Sequence, residues 1–330
     1  MPAIQNILIR LPNWLGDMVM SSAFVKAVSA EYPNAKLHLV AKKGIDFLLD
    51  YFPPHEQRYV FSKEAYKGLS GAWRFGKETG KIIKFDLCFC LPDSFSSAVM
   101  ARASGTKTIV GYKKELRSWL LTKSYHRPTG LHRVEDYLFL LEQFTGKKIP
   151  VPAVELILPA VQRERKLVIN INSEADSRRL PATKAISLIN TIREAVDCDI
   201  LLVGSPKEKL FVDAVYAGLK DTAGIVNIAG ATNLPQLMQL FATVSTVLTT
   251  DSGPAHVANA LGTHTIVLFG AGNEHNTAPY NKQNRTIIRL GKLSCEPCVN
   301  NTCKRYGVPE CLLQLDEQLI AAEVKASMKM

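Results

Sequence analysis

The stretch "TVLTTDSGPAHVANALGTHTIVLFG", residues 246–270, holds a strand, a turn, a helix and a second strand. The β-branched run Thr246–Thr250 reads as a strand, and so does Thr265-Ile266-Val267-Leu268-Phe269. Between them Asp251-Ser252-Gly253-Pro254 makes a turn and an apolar helical pattern follows. Pro254 suits the first helical position, where its missing N–H costs nothing. Ser252 or Gly253 can serve as N-cap. Such a helix start offers free backbone N–H groups and the positive end of its dipole, a ready site for a phosphate. His256 falls beside the same spot, in the first helical turn. Taken alone, the turn reads equally well as a capped helix with an incidental histidine.

The same alternation runs along the whole chain. In the first half, residues 6–11, 36–42, 86–91 and 108–112 read as strands. Residues 18–32 and 133–144 read as helices. Pro150, Pro152 and Pro159 then punctuate a linker. The pattern restarts with strands at 166–171, 199–204 and 224–230 and helices at 182–196, 209–219 and 234–244. Strands alternating with helices predict parallel sheets covered on both faces. The expectation is an α/β protein of two Rossmann-like, doubly wound domains, 1–155 and 156–330, facing a central cleft. The C-terminal helix is expected to pack back on the first domain. Ligands of such sheets bind outside the carboxyl ends of the strands, which is where the 251–256 turn falls.

The 330 residues are 47% hydrophobic, enough for two cores. The net charge of +10 is uneven. Residues 1–150 hold 22 Lys+Arg against 13 Asp+Glu, giving +9, and residues 151–330 hold 18 against 17, giving +1. A basic first half points to an acidic partner. No zinc finger, RNA-recognition signature or basic helix supports nucleic acid. The opening "MPAIQNILIRLP" lacks the basic and long apolar regions of a signal peptide, so a cytoplasmic protein is expected. Of the seven cysteines, Cys88, Cys90 and Cys198 lie in or beside strand-like runs. Cys295, Cys298, Cys303 and Cys311 form a late cluster that reads as a structural metal site or as free thiols.

Two further turns carry chemistry. The first strand runs into Asn13-Trp14-Leu15-Gly16-Asp17. Asp17 reads either as an ordinary helix-start acid or as a general base able to take a proton from a substrate hydroxyl. In the second half, Arg178-Arg179 precede Leu180-Pro181 and the next helix. Guanidinium groups there suit bidentate phosphate contacts. The one D-x-D, Asp197-Cys198-Asp199, lies at the N-terminal edge of a strand, away from the expected site.

The segments "ILIRLPNWLGDMVMSSAFVKAVSAEYPNAKLHLVA", "IVGYKKELRSWLLT", "LHRVEDYLFLL" and "TTDSGPAHVANALGTHTIVLFG" together resemble glycosyltransferase family 9, the ADP-heptose:lipopolysaccharide heptosyltransferases, and within it the heptosyltransferase II branch. The resemblance implies a GT-B fold, acceptor domain first and donor domain second. It implies inverting, metal-independent transfer with no cofactor. The family's catalytic Asp falls on Asp17, and its diphosphate-binding segment on Asp251, Ser252, Gly253 and His256. Its phosphate-binding Lys falls on Arg178, beside Arg179, with Leu180 in place of Trp. Its ribose-binding acid falls on Glu208. Where members carry N-P-G-A, this chain reads Asn170-Ile171-Asn172-Ser173, so Ser173 is the expected backbone approach to phosphate and the missing glycine restricts the loop.

The expected acceptor contacts are Asn13, Trp14, Arg117 and Arg133, facing a phosphorylated lipopolysaccharide core at the inner face of the inner membrane. The expected donor is a nucleoside-diphosphate sugar, ADP-heptose. Two other classes fit the same architecture: a nucleotide-sugar epimerase, and a non-catalytic nucleotide-sugar or lipopolysaccharide-binding protein.

Overall fold

Parallel strands buried on both faces read as continuous apolar runs, and such runs form the middle of two sheets that hold six strands each among the described residues. The computed structural model describes residues 4–328. The chain divides into two units between Ile157 and Leu158.

The first unit runs β1 (Asn6–Arg10), α1 (Leu15–Met20), α2 (Ser22–Glu31), β2 (Lys36–Lys42), β3 (Gln57–Phe61), α3 (Gly68–Ile82), β4 (Leu87–Cys90), α4 (Phe95–Ala103), β5 (Thr108–Tyr112), β6 (Lys123–Tyr125) and α5 (Arg133–Thr145). Its sheet has the order β3-β2-β1-β4-β5-β6, all parallel, with Ile7 opposite Leu37 and Leu87. Helices α1, α2 and α5 group together, and α3 packs with α4. Leu8, Val40, Phe75, Phe85, Cys88 and Ile109 belong to the core cluster on the α3–α4 side.

The second unit runs β7 (Glu164–Asn170), α6 (Ala182–Ala195), β8 (Asp199–Leu202), α7 (Lys209–Ala217), β9 (Ile225–Asn227), α8 (Leu234–Thr243), β10 (Val244–Thr250), α9 (Gly253–Ala260), β11 (His264–Phe269), α10 (Glu274–Thr277), β12 (Arg285–Arg289), α11 (Glu310–Leu313) and α12 (Glu317–Ser327). Its sheet order is β12-β11-β10-β7-β8-β9. Counted from its own first strand this is the same winding as in the first unit. In both, the chain leaves the first strand in one direction and returns at the fourth in the other. The switch points are therefore the gaps between β1 and β4 and between β7 and β10, and crevices at the carboxyl edge form there.

The structure differs from the sequence reading in one helix and adds three strands. The helix expected at 18–32 starts at Leu15 and breaks at Ser21, whose hydroxyl donates to the Met18 carbonyl at 2.6 Å. That back-bond competes with the helical ladder. Strands β3, β6 and β12 are short or half-polar edge strands, and periodicity did not find them. The C-terminal helix α12 packs on α6 and β10 of its own unit. It buries Ile320, Ala321 and Val324 there, and each large apolar side chain contributes roughly 1.5–3 kcal/mol. Among the described residues no helix is long and apolar enough to cross a membrane.

Candidate active site

At the switch point of the first unit, the chain leaves β1 through Asn13 and Trp14 and enters α1. Asp17 lies in the first turn of that helix. Its side chain is about a quarter exposed. Burial pushes its carboxyl above the ordinary value, opposed chiefly by the Arg133 guanidinium. Arg133 Nε stands 3.3 Å from Asp17 Oδ1, and the Tyr137 hydroxyl donates to the same oxygen at 3.5 Å. Both partners come from α5. One oxygen of Asp17 is therefore held, and the structure records no partner for the other.

Asp17 ends a chain of alternating charges. Arg133 Nη1 reaches Asp136 Oδ2 at 3.4 Å, and Arg127 Nε reaches the same oxygen at 3.3 Å. Arg127 Nη1 then meets Asp93 Oδ2 at 2.5 Å, and Arg117 Nη1 meets Asp93 Oδ1 at 3.3 Å. Arg127 and Arg133 remain about a third exposed, while Arg117 is 1% exposed. Arg117, expected as an acceptor contact, is instead buried with its guanidinium on Asp93. Arg133 faces Asp17 itself. Asn13 is engaged through its side-chain oxygen by Arg10 Nη2 at 2.5 Å, and Trp14 is 61% exposed. Asp93, Arg127, Asp136 and Tyr137 were not singled out from sequence. Only the Arg133–Asp136 spacing on one helix face hinted at the network.

At the switch point of the second unit, two loops meet. Asn170, at the end of β7, donates to Thr249 Oγ1 at 3.0 Å and to Ser252 Oγ at 3.1 Å. Asn172 donates to the Val203 carbonyl at 2.9 Å, and its own carbonyl accepts from the Thr250 hydroxyl at 2.5 Å. The loop that lacks glycine therefore carries no left-handed residue. Among described non-glycine residues only Val299 has positive φ. The Asn172 amide occupies the space over Gly204, where a Cβ would come within 2.9 Å of Nδ2. Ser173 is buried, and its carbonyl accepts from Arg179 Nη2 at 3.1 Å.

Asp251, at the end of β10, is 4% exposed. Burial raises its carboxyl to about 6, against the lowering influence of Arg178 and Arg289. Arg178 Nη1 lies 3.6 Å from Asp251 Oδ2, which has no hydrogen-bond donor. The other guanidinium turns away: Arg179 pairs with Asp176 at 3.2 Å and lies over the Phe211 ring. Helix α9 begins at Gly253, with Pro254 second and buried His256 in the same turn. Ser252 is the N-cap by position, yet its hydroxyl makes no cap bond because it donates to the Thr250 carbonyl and accepts from Asn170. Glu208 closes its own turn, accepting from the Ser205 N–H at 2.7 Å.

Arg289, on edge strand β12, was also missed. It donates to the Gly270 carbonyl at 2.8 Å and to the Gly272 carbonyl, and pairs with Glu274 at 2.6 Å and Glu296 at 3.2 Å. It thereby ties the loop that faces Asp251. The four late cysteines are free and line a cavity of about 20 Å³ beside Ala271 and Glu296. Among the described residues no three His, Cys, Asp or Glu side chains converge as a metal ion requires. Asp199 opens β8 at the opposite, N-terminal edge, and Asp197 pairs with Arg193.

Two six-stranded Rossmann-like units with polar loops gathered at both switch points define the architecture of GT-B glycosyltransferases. A family model described as Glycosyltransferase family 9 (heptosyltransferase) matches residues 73–308, more than half of the chain. The chain belongs to that family. It is 26% identical to lipooligosaccharide heptosyltransferase 2 of Campylobacter jejuni, covering 97% of this chain and 98% of that one. It is 26% identical to lipopolysaccharide heptosyltransferase 2 of Escherichia coli, with coverage of 97% and 98%. The solved structure of E. coli ADP-heptose lps heptosyltransferase II shares the fold, with a TM-score of 0.82 at 23% identity over 98% of this chain and 99% of that one.

Proposed function

We propose that the protein transfers a heptose from ADP-heptose to the inner core of lipopolysaccharide, with inversion and without a metal ion. The reading draws on the family and on relatives of that name along nearly the whole chain. The observation that carries the mechanism is Asp17 at the β1 edge, half-buried and gripped through one oxygen. Its other oxygen takes the proton of an acceptor hydroxyl. The hydroxyl oxygen forms a bond to the donor's anomeric carbon as the bond to the diphosphate oxygen breaks. The departing ADP gains negative charge. Arg178 and the start of α9 stabilise that charge as preorganised electrostatics, the role a divalent cation fills elsewhere.

Phosphates of the acceptor core meet the guanidinium groups of Arg127 and Arg133, which are about a third exposed. Because such an acceptor is lipid-borne, the protein works at the inner face of the inner membrane. The test is incubation with labelled ADP-heptose, with and without core-lipid acceptor. Transfer to the lipid is expected. Isomerised free sugar would indicate an epimerase, and unchanged donor that still binds would indicate a non-catalytic carrier.

A further inference from the structure

We propose that the connection between β5 and β6, crowned by Leu116 and Trp119, is the surface that docks this protein on an anionic lipid bilayer. The connection contains a 3₁₀ segment, Glu115–Leu120. With three residues per turn, positions i and i+3 lie over one another, so Leu116 and Trp119 share one face. They are 63% and 86% exposed, and Trp119 is the most exposed large apolar residue among those described.

This display is built into the fold. Arg117, between the two, points inward and is anchored on Asp93 at 3.3 Å. Leu121 belongs to the core cluster with Ala98 and Ile109. The segment packs on α4. Its two ends are clamped, since the Lys113 N–H donates to the Tyr125 carbonyl at 2.7 Å. A turn bolted from below by a buried arginine holds an indole and an isobutyl group in water. Exposed apolar side chains held in this way mark an interaction surface.

The charge around the crown selects the partner. Lys113, Lys114 and Lys123 are all exposed at the feet of the turn. Indole and leucine side chains rimmed by ammonium groups match the interface of a bilayer, with the rings at headgroup level and the lysines among anionic headgroups. A second copy of this chain would set lysines against lysines, so self-association is disfavoured at this face. The proposal rests on the reading of a lipid-borne acceptor for its purpose. The vesicle-binding measurement that decides it contains neither donor nor acceptor, so the two can fail separately.

The full chain is sedimented with vesicles of phosphatidylcholine alone and with vesicles containing 30% phosphatidylglycerol, about the anionic content that gives a strong surface potential. Binding to the anionic vesicles is expected, weakening with salt. Brominated lipids should quench tryptophan fluorescence in the wild type and lose most of that effect in W119F. The double variant L116S/W119S should bind at least about tenfold more weakly, and each of K113Q, K114Q and K123Q about fivefold, near 1 kcal/mol per charge removed. Circular dichroism and the thermal midpoint verify that these surface variants are folded. Transfer to a delipidated, water-soluble acceptor should be unchanged in L116S/W119S. Absence of wild-type binding to vesicles overturns the proposal, as does undiminished binding of the folded double variant. Equal binding to neutral and anionic vesicles overturns the choice of an anionic bilayer.

Discussion

At the scale of single residues, the carboxylates are set apart by what surrounds them. Asp17 has its pKa raised by burial while Arg133 opposes the rise. As the proposed base Asp17 acts when ionised, so activity is expected to fall as pH drops through a pKa above the ordinary aspartate value. Asp17→Asn should lower kcat by about 10²-fold or more, with little change in folding or donor affinity. Near-normal turnover would remove Asp17 from the mechanism. Arg133→Gln removes the opposing cation. The groups facing Asp17 are then Tyr137 and the more distant Arg127. The acid limb of the kcat/KM profile should move to higher pH, and Arg133→Lys should restore part of the shift. An unmoved limb would mean that Arg133 serves the acceptor alone.

Asp251 has the same sign for a different consequence. Its carboxyl titrates near 6 in the fold against 3.8 ordinarily. The folded state binds the extra proton, so stability falls as pH rises from about 4 to about 6. The thermal midpoint of Asp251→Asn should lose that dependence, and a wild-type curve flat across the window would contradict the burial argument.

At the scale of elements, close approaches decide what each loop tolerates. A Cβ on Gly272 would lie 1.9 Å from Asp251 Oδ2. Gly272→Ala must therefore push Asp251 away from Arg178 or shift the loop tied by Arg289. Nucleoside-diphosphate binding measured by calorimetry should weaken at least about tenfold, the loss of one charge-assisted hydrogen bond. The Arg117–Asp93 pair, buried on its arginine side, holds the crossing between β5 and β6. Truncating Arg117 leaves Asp93 on Arg127, so the loss is one charge-assisted contact and the packing of a buried side chain, about 1.5–3 kcal/mol. Arg117→Ala should therefore unfold at markedly lower denaturant, whereas an effect confined to acceptor binding would restore Arg117 as a ligand contact.

At the scale of the whole molecule, the basic character is concentrated in residues 1–150, at +9 against +1 for the remainder. Arg178→Ala should weaken ADP binding by about 1.5–3 kcal/mol, the range for hydrogen bonds to charged groups, and leave acceptor binding nearly unchanged. Charge reversal at Arg127 should do the opposite, less so at high salt. Equal losses of both ligands in both folded variants would overturn the assignment of one substrate to each unit. Chelation with EDTA should leave transfer intact, and activity lost to EDTA but restored by Mg²⁺ would exclude the metal-free mechanism.

The sequence by itself determined the α/β class, the positions of the long strands and the three turns that carry polar chemistry, because periodicity and turn residues act over a few neighbours. Edge strands β3, β6 and β12 escaped it, being short or half-polar. Tertiary structure alone decided who faces whom. Asp17 and Tyr137 are 120 residues apart in the chain, and Arg178 meets Asp251 only because β7 and β10 are neighbours. It also decided that Arg117 is buried while Leu116 and Trp119 are turned outward, and that the glycine-free Asn170–Ser173 loop is tied down by asparagine side chains. Ion pairing and burial follow from strand order, and strand order is fixed by packing across the entire domain and not by any local pattern.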